Sequence, residues 1–419
     1  MKKLTFILTS FLIIASCSTM RVALVGDPQA DSTLEADFAR KSVFKELGER
    51  KDIDFAIFLG DLCNDKPELL EEMKAQVDSL PFECLCVPGN HDRNFYPKQK
   101  DGSRKKRDLA TYRDVMGYVD TTFVRKGYRF ILMNDVLPGA GLNECGFTPE
   151  QYAWLEKVLD NTPSKMPVVI AMHIPLDEFP QKDALSRLFA GHRTLAVCAH
   201  THTAYRTFVE MPAADPAPAY KIDEIVPGTT CGTWWRGVPD SYGIPQARMN
   251  CGAPRGYGIA DFSKNGYKYS YKTVQRDSLA SAYVYQIPEP ARKKGEPAPE
   301  FVPQDRLYVN VFSGHTEGVC EVKLPGDRTW HRLERVNETD PGTRILMARY
   351  HSMPKAALKA MGRDRIPVFS GRSAHLWAGG QGLAEAIKDR GVKQIEVRYS
   401  DHATKVRCTI PVNFAPENK

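Results

Sequence analysis

Five short apolar runs in this chain each carry, at or near their ends, a side chain that can hold a metal ion. RVALVG runs into Asp27-Pro28-Gln29, IDFAIFLG into Asp61, and FECLCVPG into Asn90-His91-Asp92. MPVVIAMHIP contains His173, and RTLAVCAHTH ends on His200 and His202. Runs this apolar, without polar alternation, read as strands buried on both faces. A sixth such run is RFILMND, 129–135. Helical spacing occupies 34–50, 67–80 and 148–160, with Pro67 and the Thr-Pro-Glu of 148–150 as start signals. Strands that alternate with helices give the α/β class. In such sheets ligands collect beyond the carboxyl ends of the strands, so residues distant in sequence can meet there.

Each motif alone has an ordinary explanation. Gly-Asp after a strand is common turn chemistry, and a single histidine such as His173 is usually a hydrogen-bonded core residue. H-x-H on a strand says more, because alternate residues face the same way. Five such motifs in one chain define a candidate site.

Taken in order, D-x-Q, GD, GNHD, a mid-chain His and H-x-H resemble the calcineurin-like metallophosphoesterases over residues 21 to about 275. The resemblance implies a four-layer α/β/β/α sandwich and two divalent metal ions. Asp27, Gln29, Asp61 and His202 would hold one ion; Asp61, Asn90, His173 and His200 would hold the other, with Asp61 bridging. Two dications facing two ligand carboxylates keep positive charge for a phosphoryl oxygen and for a bridging hydroxide that attacks phosphorus in line. His91 would then act as general acid at the leaving oxygen, and Asp92 would either orient it or cap the turn. Gln29 stands where the family usually has His, and Ala199 where it usually has Gly. An amide oxygen in place of imidazole biases that site toward Mn, Fe or Mg over Zn. D-x-Q also resembles manganese-dependent enzymes that cleave nucleoside-diphosphate linkages. A small phosphodiester or pyrophosphate-type substrate is therefore expected. A phosphomonoesterase, or a surface glycan- or protein-binding module with an idle metal site, are the alternatives.

A second stretch, 231–272, carries Trp234-Trp235 and repeated Gly-Tyr elements. Together with YVNVFSGHTEGVCEV and HLWAG it resembles a bacterial subgroup of these phosphoesterases with a characteristic C-terminal domain. The two tryptophans would either line the substrate pocket or seal the domain interface. Chain length argues for two domains, expected at 21–280 and 305–419 with a Pro-rich linker at 281–304. The second domain shows short alternating runs, the pattern of a small mainly-β sandwich, and one helix at 382–390. His315, His331, His351, His375 and His402 have no ligand spacing and read as surface or core residues.

A net charge of +6, and no basic block interleaved with aromatics, argue against a nucleic-acid partner. Arg104 to Arg107 reads as a solvated loop. The first 20 residues begin with a basic Met1-Lys2-Lys3 and a short apolar run, an export signal rather than a membrane span, which needs about 20 apolar residues. Ile14 to Cys17 resembles a bacterial lipoprotein box, with Cys17 as the lipidated residue. That places the protein in the cell envelope, with the first strand within about 14 Å of the anchor. The nine other cysteines cannot all pair and show no zinc spacing, so mostly free thiols are expected.

Overall fold

The structure is a computed structural model that describes residues 19–96, 100, 107–137, 144–215, 217–275, 278–286, 304–360 and 371–414. Residues 1–18 of the expected export signal, Cys17 among them, residues 104–106 of the expected solvated loop and residues 287–303 of the expected linker lie outside the described residues, and Met20, expected to close the signal, opens the first strand.

The alternation of side chains along each central strand builds the first domain. Val22, Leu24, Phe55 and Ile57 face one way and meet Phe130, Leu132, Val169, Ala171, Leu195 and Val197 of a second sheet. Their neighbours Ala23, Val25, Ala56 and Phe58 face the other way, onto helices that include Phe38, Phe44, Met73 and Val77. On the far side Ile131, Val168, Ile170 and Ala196 pack against helices carrying Leu155, Leu159, Leu185 and Phe189. The result is the expected four layers. Phe55 and Phe130 pin the sheets edge to face, with centroids 5.3 Å apart.

One sheet runs Gly266–Thr273, Gly256–Ser263, Met20–Val25, Phe55–Phe58, Glu83–Cys86, the last three parallel. The other runs Thr121–Arg125, Tyr128–Leu132, Val168–Ala171, Thr194–Val197, Tyr220–Val226, Tyr205–Met211, its four middle strands parallel. All metal-type motifs follow the carboxyl ends of parallel strands. The helix expected at 148–160 is Pro149–Asp160, started by a reciprocal Thr148–Gln151 capping box. The one expected at 34–50 runs from Thr33 to Glu49 but widens into a π-turn at Arg40–Phe44.

The C-terminal domain is mainly β. Its eight strands lie in the order His331–Arg332, Val319–Lys323, Gln394–Ser400, Lys405–Phe414, Ala280–Gln286, Asp305–Val311, Leu376–Ala378, Glu334–Val336. The two outermost strands are consecutive in the chain, so the segment 331–336 bridges both edges of a curled sheet. Ala280–Gln286 corrects the expected linker boundary: most of this strand falls inside 281–304, yet it pairs on both sides within the C-terminal sheet. The helix expected at 382–390 is Gln381–Asp389, and Pro341–Ser352 adds a helix that the sequence pattern did not indicate.

Candidate metal centre

Seven residues assigned from sequence converge, and their backbones are unusual. Asp27, Gln29, Asp61, His200 and His202 all have positive φ, between 42° and 65°. Non-glycine residues rarely adopt this region, and strain of this kind persists where the surroundings hold it for function. The loops are laced together by backbone bonds: Gln29 N–H donates to Asp61 O (2.8 Å) and Ala199 N–H to His173 O (2.8 Å). Gly89 allows the closest approach, since a Cβ there would lie 2.1 Å from Asp61 Oδ1.

His173 sits at the middle of the donors. Its Nε2 is 3.3 Å from Asp61 Oδ2, 2.9 Å from Asn90 Oδ1 and 3.2 Å from His200 Nδ1. Ligand atoms around one cation with bonds of about 2.0–2.2 Å are spaced by about 3 Å, so these donors already have the spacing of a coordination shell. On the other side, Gln29 Nε2 lies 3.2 Å from Asp61 Oδ2; a half-turn of this amide presents its oxygen instead. Asp61 touches both groups, as a bridging carboxylate must.

Two histidines are held in the tautomer that a metal needs. His173 Nδ1 donates to Leu59 O (2.7 Å) and His202 Nδ1 to Gly232 O (2.7 Å), so that each ring, when neutral, has its lone pair on Nε2. Asp27 is fully buried, and neither oxygen receives a well-formed hydrogen bond among the described residues. Burial therefore pushes its carboxyl well above the usual range. A buried carboxylate in this state asks for a cation, and the donor set fits divalent metal. Without one, the proton on His173 supplies the positive charge. Burial opposes it, but Asp61, Asp27 and Asp135 raise this imidazole to about 10. Burial and the charge on His173 lower His200 to about 3; burial takes His202 to about 4. Metal binding thus displaces protons, as metal sites do.

His91 is pinned beside the bridge, its backbone N–H donating to Asp61 Oδ1 (2.8 Å). Its ring is held by Asp65, with Nδ1 to Oδ1 at 2.8 Å. This corrects the orienting role considered for Asp92. The Asp92 carboxylate instead accepts the backbone N–H groups of Cys63 (3.0 Å) and Gly89 (2.8 Å) and fastens the turn. Burial raises it to about 6. Asp65 and Asp135 were not singled out from sequence. Asp135 accepts the backbone N–H groups of His173 (3.3 Å) and Ile174 (2.7 Å), and burial raises it to about 7.

The tryptophans separate. Trp235 is 1% exposed, packs on Phe38 and donates its indole N–H to Pro28 O (2.8 Å). It is a wedge under the Asp27 loop, which corrects the pocket-lining place considered for it and leaves it a structural role. Trp234 is half-buried and lies against the His202 ring, with centroids 4.5 Å apart.

Asp223, His315 and His402 form a second Asp-His-His group, at the seam between the domains. Glu317 N–H donates to His315 Nδ1 (3.0 Å), which leaves the proton of the neutral ring on Nε2, facing Asp223. The Nε2–Oδ1 distance of 3.8 Å is too long for a hydrogen bond, and with its proton in place this Nε2 offers no lone pair to a metal. Nine cysteines, among them Cys63, Cys86, Cys198 and Cys231, are free thiols.

Two packed sheets between helix layers, with a carboxylate shared by two donor sets at the strand ends, define a metallohydrolase of the four-layer sandwich class. Residues 20–204 match Calcineurin-like phosphoesterase, and residues 224–406 match C terminal of Calcineurin-like phosphoesterase. The chain belongs to that family and is a metal-dependent hydrolase of phosphoester bonds. A search of curated proteins gives no match. The C-terminal match begins before Gly232, so the carbonyl that fixes His202 falls within it.

Proposed function

We propose that the protein cleaves phosphodiester or pyrophosphate-type bonds of a small substrate. One observation carries the reading: Asp61 stands between two donor groups while the buried carboxylate of Asp27 lacks a well-formed hydrogen bond. Asp27, Gln29, Asp61 and His202 would hold one divalent ion, and Asp61, Asn90, His173 and His200 the other. When bound, the ions supply Lewis-acid charge for the phosphoryl oxygens and a nucleophile at neutral pH. The protein residues do the rest. His91, steadied by Asp65, is placed to give a proton to the leaving oxygen. The left-handed turns fix the donors before substrate arrives, so little reorganisation is needed.

The D-x-Q pattern supports diesters or pyrophosphates over monoesters. The test is the purified protein with Mn²⁺, assayed on bis-p-nitrophenyl phosphate and p-nitrophenyl phosphate. The diester is expected to turn over with the higher kcat/KM, and a clear monoester preference would overturn this reading. Gln29 favours Mn, Fe or Mg at its site; a fully active protein holding two tight zinc ions would refute that. His91→Ala is expected to lose about 10²–10⁴-fold in kcat with metal content kept. We also propose that Cys17 carries a lipid and anchors the protein in the cell envelope of a bacterium. Cys17→Ser is expected to move the protein from the membrane fraction to the soluble one, and an unchanged distribution would argue against the anchor.

A further inference from the structure

We propose that a buried polar network in the C-terminal domain, His375–Asn310–Asp340, holds the loop 249–253 against the H-x-H segment and so positions His202 for the ion it would bind. This deepens the reading of the metal centre and rests on it.

The grip on the His202 backbone comes from this loop. Asn250 N–H donates to His202 O (2.9 Å), and Ala204 N–H donates to Cys251 Sγ (3.3 Å). Two consecutive residues thus hold the chain on either side of Thr203. His202 has φ 52°, a conformation that its surroundings must maintain. The loop closes through Met249 N–H to Ala253 O (3.0 Å) and Gly252 N–H to Met249 O (2.9 Å). A turn this short does not fix its own place; what stands behind it does.

Behind it stand Asn310, Asp340 and His375, all buried. Asn310 Nδ2 donates to Cys251 O (3.0 Å) and to Asp340 Oδ1 (3.0 Å). A backbone carbonyl can only accept, so the amide oxygen of Asn310 faces the other way, onto His375 Nδ1 (2.5 Å). Nδ1 therefore carries the proton; burial lowers this imidazole to about 4 and keeps it neutral. Asp340 Oδ2 accepts Thr343 N–H (2.9 Å) as the cap of helix Pro341–Ser352. The loop lies directly on this carboxylate, since a Cβ on Gly252 would be 2.5 Å from Asp340 Cγ. Asn310 belongs to YVNVFSGHTEGVCEV and His375 to HLWAG, the two stretches that carry the C-terminal resemblance. Both stretches thus converge on one loop behind a metal ligand. Apolar side chains would fill this seam without polar groups to match. Bonds of fixed direction instead hold it in one geometry. Asn310 and His375 are positioning residues that act on His202 through Cys251.

The test is calorimetric titration of Mn²⁺ into the metal-free, full-length protein. Gln29→Ala marks the binding step that belongs to the His202 side. Asn310→Leu is expected to weaken that step about tenfold and to leave the other unchanged, with circular dichroism near native. His375→Leu should do the same. His375→Asn, whose amide N–H can stand where Nδ1–H stands, should recover most of the loss. Cys251→Ala removes one sulfur atom and spares the fold, so it carries the test if Asn310→Leu does not fold; the same step should weaken about threefold. Unchanged affinity in these variants, or equal loss at both steps, would mean that the network only stabilises the seam, and overturns the proposal. If the wild-type protein binds no Mn²⁺, the ligand assignment fails instead. Amide exchange read by mass spectrometry then decides the hold on the loop separately: faster exchange across 199–206 in Asn310→Leu supports it, and an unchanged rate overturns it.

Discussion

Asp65 shows how much of a site can hide in an unremarkable residue. It lies in a short polar loop after the second strand, with positive φ, and reaches back to His91. In the sequence Asp92 was the nearer partner, because it directly follows His91. Adjacency misleads here, since consecutive side chains on a tight turn diverge, and Asp92 points to the amides of Cys63 and Gly89. If Asp65 holds the catalytic ring, Asp65→Asn keeps the shape and weakens the hold. We expect kcat to fall about 10–100-fold, with metal content and KM nearly unchanged, as measured by steady-state kinetics and elemental analysis. A variant with native kcat would leave Asp65 only the loop to stabilise. The seven ligand-type residues, by contrast, were legible, because each follows or sits in a run too apolar to be anything but a buried strand.

At the scale of elements, what matters is how closely the strand-end loops approach. The loop after Phe55–Phe58 and the loop after Glu83–Cys86 come together only because residue 89 lacks a side chain. Gly89→Ala would put a methyl group on the Asp61 carboxylate, and Asp61 is the shared donor. The expected outcome is loss of bound metal and of at least 10²-fold activity. The helix and sheet content by circular dichroism should stay near native, because the clash falls at the site and outside the sheet cores. Retained metal at native stoichiometry would contradict this geometry. The same scale explains what the sequence concealed. Ala280–Gln286 alternates like a strand but runs into Pro- and Lys-rich chain, so it reads as the start of a linker. Helix Pro341–Ser352 begins at an Asp340 cap but spreads its apolar residues around the cylinder, so no face stands out. The Gly232 carbonyl and the Trp234–His202 ring contact come from a segment without regular structure. Only its tertiary partners place it, and local pattern carries no trace of them.

Across the whole molecule, the two domains meet through charge. Arg206 on strand Tyr205–Met211 is fully buried and paired with Asp401, which also accepts the backbone N–H groups of Ala403 and Thr404. Asp401→Asn would leave that guanidinium buried beside a neutral amide. Loss of a buried partner costs about 3–5 kcal/mol, and urea unfolding should report a drop of this order; a change under about 1 kcal/mol would mean the seam is wetter than it looks. Next to it, His402 Nε2 lies 2.6 Å from Asp223 Oδ2. Asp223 raises the imidazole above its ordinary value, against a smaller effect of burial. Asp401 adds to the rise, Arg206 opposes it, and Tyr267, Phe208 and His315 complete the surroundings. A histidine raised on folding stabilises fully below its unfolded value, near 6.5, and that contribution fades as pH rises through the folded value. The side chain is 38% exposed, so screening holds the effect to within about 1 kcal/mol. Calorimetry between pH 5.5 and 8.5 should therefore show wild type losing Tm relative to His402→Gln as pH rises, with the difference largest at the acid end. If the two curves run parallel, the Asp223–His402 pair does not couple domain docking to protonation.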